Sequence, residues 1–142
     1  MLPDDAWARH SNPWSGWTRL LAYPVLILAV YARDRRLLAG TLGFLAVNPV
    51  LFAEPETESD AWMSRVVRAE QRWTDAGEPL FGLGFPQVLN LLQVPVFCYN
   101  VYAAVRRRPA ATVAATAATM ALKLWFVNEL VKTTEGAGEA AD

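Results

Sequence analysis

Cysteine, histidine and lysine are nearly absent from this chain, and each scarcity removes a class of chemistry. Of 142 residues, one is cysteine and one is histidine. Cys98, alone in an apolar run, excludes a disulfide within the chain and reads as a small buried hydrophobe. His10, equally alone, excludes a bis-histidine haem or a multi-histidine metal centre within one subunit, so neither metal nor cofactor is expected. The net charge of -1 leaves no basic face long enough to follow a phosphate backbone, which excludes a nucleic-acid partner. A signal peptide is not expected either, because Pro3, Asp4, Asp5, Arg9 and His10 precede any apolar run and no small-residue cleavage site follows one. Insertion into a membrane would then use the spans themselves.

What is present is apolar sequence: 54% of residues are hydrophobic and 19% charged. Mean hydropathy is only +0.16, because a polar head, the segment 54–78 and a polar tail 133–142 offset the apolar stretches. Two arginine-rich tips organise those stretches. Arg33-Asp34-Arg35-Arg36 and Arg106-Arg107-Arg108-Pro109 each lie between a pair of apolar segments. Short basic loops stay cytoplasmic during insertion, so the tips predict a cell-membrane, multi-pass protein with both turns cytoplasmic and both termini outside. Membrane-surface phosphates suit the same clusters.

The predicted architecture is all-α, a single membrane domain over 1–142 built as a four-transmembrane-helix bundle. The expected spans are about 14–32, 37–53, 84–105 and 109–131. Leu20 to Ala32 is too short alone for a hydrocarbon core that needs about 20 helical residues, so the first span takes in Trp14 to Arg19. In the second, Gly40 and Gly43 are expected at a close helix contact, and Pro49 interrupts the helical ladder. Between spans two and three, Trp62, Val66, Ala69 and Trp73 recur at helical spacing opposite Arg65, Arg68 and Arg72. This predicts an amphipathic interfacial helix over about 60–74, capped by Ser59 or Asp60; a helix docked on the bundle gives the same pattern.

Counting from the arginine tips assigns each polar residue a depth. Arg19 and Lys123 fall about 21 Å from the tips, Asn48 about 18 Å and Gln93 about 20 Å. One polar residue from each span thus shares a layer in the outer half of the bilayer. Charges at that depth face an interior cavity or snorkel outward along their stems, and both readings stay open here. Glu70 is the acidic residue expected to reach in toward the two cations.

The segments His10-Ser11-Asn12-Pro13-Trp14-Ser15-Gly16-Trp17-Thr18-Arg19, Asn48-Pro49 with Phe52, Trp62 with Arg65, Glu70 with Trp73, and Lys123-Leu124-Trp125-Phe126 carry a resemblance. Together they resemble an uncharacterised family of small prokaryotic integral membrane proteins, a domain of unknown function. The resemblance implies a membrane domain and no assigned activity. Where such proteins tend to carry Asp-Arg, this chain has Asn128-Glu129.

The candidate polar site is therefore His10, Asn12, Ser15, Arg19, Asn48, Glu70, Gln93, Lys123 and Asn128. The leading functional expectation is a non-enzymatic module that binds a lipid, a small-molecule ligand or a partner through an outer-side polar site. A membrane-embedded enzyme acting on a lipid or redox substrate would instead use His10 and Glu70 as acid/base groups. An oligomeric transporter or channel is the third reading, since Asn48-Pro49 breaks a helix near the layer and four spans would need a homo-oligomer. Retinal attachment at Lys123 is disfavoured by the poor enclosure four spans give, and a soluble helical bundle is the alternative to the whole scheme.

Overall fold

The computed structural model describes residues 9, 11–53 and 60–139. Among the described residues there are five helices and no strand: α1 (Pro13–Ala32), α2 (Arg35–Leu51), α3 (Trp62–Asp75), α4 (Gln87–Val105) and α5 (Pro109–Glu139). Pro13 opens α1, where its missing N–H and fixed φ suit a first-turn position. Asn12 caps that turn: its Oδ1 accepts from the Trp14 N–H at 3.0 Å.

Both tips are built the same way. Arg33 ends α1 in the left-handed region with φ 59°, and Arg107 adopts φ 52° after α4. Glycine is the usual residue in such a position, so the basic charge stands where conformation alone would not select it. Asp34 then caps α2, accepting from the N–H groups of Arg36 at 2.9 Å and Leu37 at 3.0 Å.

Helices α4 and α5 form one hairpin, α1 and α2 the other. Helix α1 also packs on α3, α4 and α5, and α3 lies across α5, whereas α2 packs on α1 alone among the described helices. The buried Ala103 and Ala104 of α4, and Thr112, Ala115 and Thr119 of α5, are small enough for close backbone approach. The larger core lies at the other end, where Met63, Val66 and Ala69 of α3 meet Phe126, Val127, Leu130 and Val131 of α5, with Trp62 and Trp73 against them. The apolar stripe of α3 is thus its docking face. On its outer side Arg65 makes a bidentate pair with Glu135 at 2.8 and 2.6 Å, which raises the Arg65 pKa above its ordinary value.

The outside of the molecule is apolar. Leu21, Val25 and Leu28 of α1, Leu42, Val47 and Val50 of α2, Leu92, Val94 and Phe97 of α4, and Val113 and Trp125 of α5 are exposed. Among the described residues, three helical stretches are long and apolar enough to cross a membrane: Pro13–Ala32, Gln87–Val105 and Pro109–Gly136. This surface and these lengths point to a membrane protein.

Several local expectations are corrected. The helix that holds the fourth expected span runs beyond 131 through the polar segment to Glu139, where the Arg65–Glu135 pair ties it to α3. Helix α3 starts after Ala61 without a side-chain cap, and Ser59 lies outside the described residues. A β-carbon on Gly40 or Gly43 would meet nothing within 4 Å, so neither marks a close helix contact, and Gly40 lines an open groove between α1 and α2. Cys98 is exposed on α4, as an apolar position on the outside of a membrane helix is.

Candidate functional site

Helices α1, α3, α4 and α5 enclose a cleft of about 380 Å³. Three of the helices present a stripe to it and α4 a single residue. From α1 come Gly16, Arg19, Leu20 and Tyr23, at i, i+3, i+4 and i+7; from α3 come Met63, Val66, Val67 and Glu70 in the same spacing. Helix α5 adds Thr119, Met120, Lys123, Leu124 and Val127, and α4 adds Gln93.

Two of the three charges in the cleft pair with each other. Lys123 Nζ lies 3.3 Å from Glu70 Oε1, with side chains 37% and 24% exposed. The same ammonium sits 5.3 Å from the centroid of the buried Phe126 ring. Arg19 has no ion pair or hydrogen bond among the described residues. Gln93 contributes a buried Oε1 that likewise meets no donor among them. The cleft therefore holds a self-neutralised pair, one uncompensated cation and one unmet acceptor.

The walls are fixed by contacts between helices. Trp17 and Trp62 join α1 to α3 with ring centroids 5.9 Å apart. Below Arg19, the wholly buried Asn100 of α4 accepts from the Tyr23 hydroxyl at 2.6 Å and from Thr116 Oγ1 at 3.0 Å, and donates to the Thr112 carbonyl at 3.1 Å. This network links α1, α4 and α5 and leaves the buried amide satisfied.

The predicted site residues divide by helix face. Arg19, Glu70, Gln93 and Lys123 line the one cleft. Asn48 is wholly buried on the other side of α1, where its Oδ1 accepts from Ser15 Oγ at 3.0 Å and its Nδ2 donates to Thr18 Oγ1 at 3.0 Å. Asn48 and Ser15 therefore fasten α2 to α1 and do not line the cleft. Asn12 is a cap that also donates to the Ala53 carbonyl at 3.1 Å. Asn128, five residues beyond Lys123, is turned about 140° away from it on α5 and is not part of the cleft lining. His10 lies outside the described residues.

Tyr23, Thr119 and Met120 line the cleft without having been singled out from sequence. The available signal was spacing: Tyr23 is one turn from Arg19, and Thr119 one turn from Lys123. No curated protein and no solved structure matches the chain. The model of one family, described as a family of unknown function (DUF6653), matches residues 1–140. By that match over nearly its whole length, the chain belongs to this family of unknown function.

Proposed function

We propose that this is a four-span membrane protein and a non-enzymatic binding module, whose cleft takes a small amphiphilic ligand. The observation that carries the reading is the convergence of Arg19, Glu70, Gln93 and Lys123 from four helices on one cleft whose other lining is largely aliphatic. A concave, mostly apolar site with a few converging polar groups is what ligand recognition requires. Glu70, Gln93 and Lys123 are half-buried there, while Arg19 stays exposed to an incoming ligand.

The fourth span rests on helix direction. Arg19 and Gln93 share the cleft, while further along both helices Tyr23 meets Asn100 and packs 6.2 Å from Phe97. Helices α1 and α4 thus run parallel, with both arginine tips at one end of the bundle. Two parallel crossings need a return between them, and α2 is the helix available for it. Its 17 residues reach about 26 Å, close to the roughly 30 Å of a hydrocarbon core. With the basic tips cytoplasmic, the cleft opens in the outer half of the bilayer and α3 lies at its outer interface.

Binding is favoured over acid/base catalysis because Glu70, the carboxylate in the cleft lining, is held by Lys123 and not left poised for proton transfer. The test is native mass spectrometry of the protein purified in mild detergent. A stoichiometric amphiphile retained by the wild-type chain and lost from Gln93→Leu and Lys123→Met would support the reading. Failure to retain one, or a turnover that disappears in Glu70→Gln, would replace it.

A further inference from the structure

The charge balance of the cleft is more specific than its shape. Glu70 and Lys123 neutralise each other at 3.3 Å, so the cleft carries one net positive charge, on Arg19. A guanidinium presents a planar fork of donors that matches a carboxylate or phosphate in two parallel bonds. The Gln93 Oε1 is buried and unmet, with almost no surface open to the cleft, and a rotation of the side chain would turn it toward the opposite partner, an O–H or N–H donor. Gln93 Oε1 could not satisfy Arg19 alone, since Arg19 offers five donors and the amide oxygen accepts at most two.

The apolar lining combines the buried valines Val66, Val67 and Val127 with two adaptable methionines. Met63 and Met120 flank the space with Leu20 and Leu124. Methionine accommodates flexible aliphatic shapes because its thioether chain has three free torsions. A volume of about 380 Å³ is at the small end for ligand pockets, enough for a head group and the first part of one chain and too little for two.

Resting on the binding reading above, we infer that the ligand is a single-chain amphiphile with an anionic head that also carries a hydroxyl, its anion on Arg19 and its hydroxyl on Gln93. Lys123 takes no direct part in holding the anion, because Glu70 already occupies its charge. The pair forms a neutral polar wall beside the head.

Titration of the wild-type protein in neutral phosphatidylcholine nanodiscs tests this, with tryptophan fluorescence as the readout, since Trp17 and Trp62 adjoin the lining residues Gly16 and Met63. Three probes share parts of one structure: 1-oleoylglycerol 3-phosphate, uncharged 1-oleoylglycerol, and glycerol 3-phosphate without a chain. The first is expected to bind at least tenfold more tightly than the second, with the third failing to compete at equal concentration. Arg19→Gln should remove the difference between the first two, whereas Arg36→Gln, in the separate groove between α1 and α2, should leave it intact. Gln93→Leu should weaken 1-oleoylglycerol 3-phosphate more than oleyl phosphate, which lacks the hydroxyl. Equal binding of the charged and uncharged chains would overturn the inference and leave the cleft a neutral-amphiphile site. Tight binding of glycerol 3-phosphate alone would overturn it in favour of a soluble anion. If no amphiphile of either charge binds, both this inference and the binding reading fall.

Discussion

Gly16 of α1 and Met63 of α3 approach so closely that a β-carbon on residue 16 would overlap the γ-carbon and sulfur of the methionine. This contact sets the distance between two walls of the cleft. Gly16→Ala gains about 0.5–1 kcal/mol in helix propensity but must displace Met63, and overpacking of this kind costs about 1–3 kcal/mol. The expected net result is a lower melting temperature in detergent, partly restored by Met63→Ala in the same chain. Gly40→Ala, with open space around it, should melt no lower than wild type. A Gly16→Ala protein as stable as wild type would mean that α1 and α3 do not meet there.

A second contact fixes α2, which has no other helical neighbour among the described residues. Asn48→Leu keeps the bulk but removes both hydrogen bonds to α1. Thr18 Oγ1 retains its bond to the Trp14 carbonyl at 2.6 Å, and Ser15 Oγ retains the backbone carbonyl of residue 48 at 3.5 Å. Interhelical hydrogen bonds in bilayers are worth about 0.6–2 kcal/mol, and the loss should fall in that range. In a Ser15→Ala background the same substitution should cost less, and a double-mutant cycle by thermal unfolding reads the difference. Additive effects would argue against the Ser15–Asn48 bond.

The fate of Asn48 also shows what sequence could and could not convey. Counting from the tips puts Asn48 near the height of Arg19, and in the structure Asn48 bonds Thr18, the residue beside Arg19. Depth along a helix follows from a fixed rise per residue, so it survives ignorance of the fold. The side of the helix does not, because it depends on which neighbours α1 acquires. Ser15 and Thr18 turn toward α2 while Gly16, Arg19 and Tyr23 turn toward the cleft, and nothing in the α1 sequence distinguishes the two polar faces. The stripe of Trp62, Val66, Ala69 and Trp73 was legible because its opposite face is charged. The approach of Gly16 to Met63 was not, since it is a property of two helices together.

The Lys123–Glu70 pair is half-screened by solvent, and its coupling should be modest. Glu70→Gln leaves the lysine without its anion, and Lys123→Met leaves the carboxylate without its cation. The double variant should be destabilised by less than the sum of the two single changes, the shortfall being a coupling of about 0.5–1 kcal/mol for a partly exposed pair. Thermal unfolding of the four proteins measures this. A double variant as unstable as the sum of the singles would mean that the two charges are independently solvated.

Span number and orientation separate cleanly in a labelling experiment. Cys98 is exposed on α4, so Cys98→Ser removes the native thiol first. Single cysteines then go to Ala32 and Ala110, exposed residues beside the two arginine tips, and to Leu83, which is 88% exposed between α3 and α4. If α2 crosses back between the parallel α1 and α4, both tips lie on one side and Leu83 on the other. The proposed orientation has that side cytoplasmic, as basic turns favour. In intact cells an impermeant maleimide should therefore modify Leu83→Cys alone, and reach Ala32→Cys and Ala110→Cys after permeabilisation. Tips on opposite sides would show that α2 does not cross and that three spans suffice. Tips together but labelled from outside would preserve four spans and the shared cleft, and would move that cleft to the inner half of the bilayer.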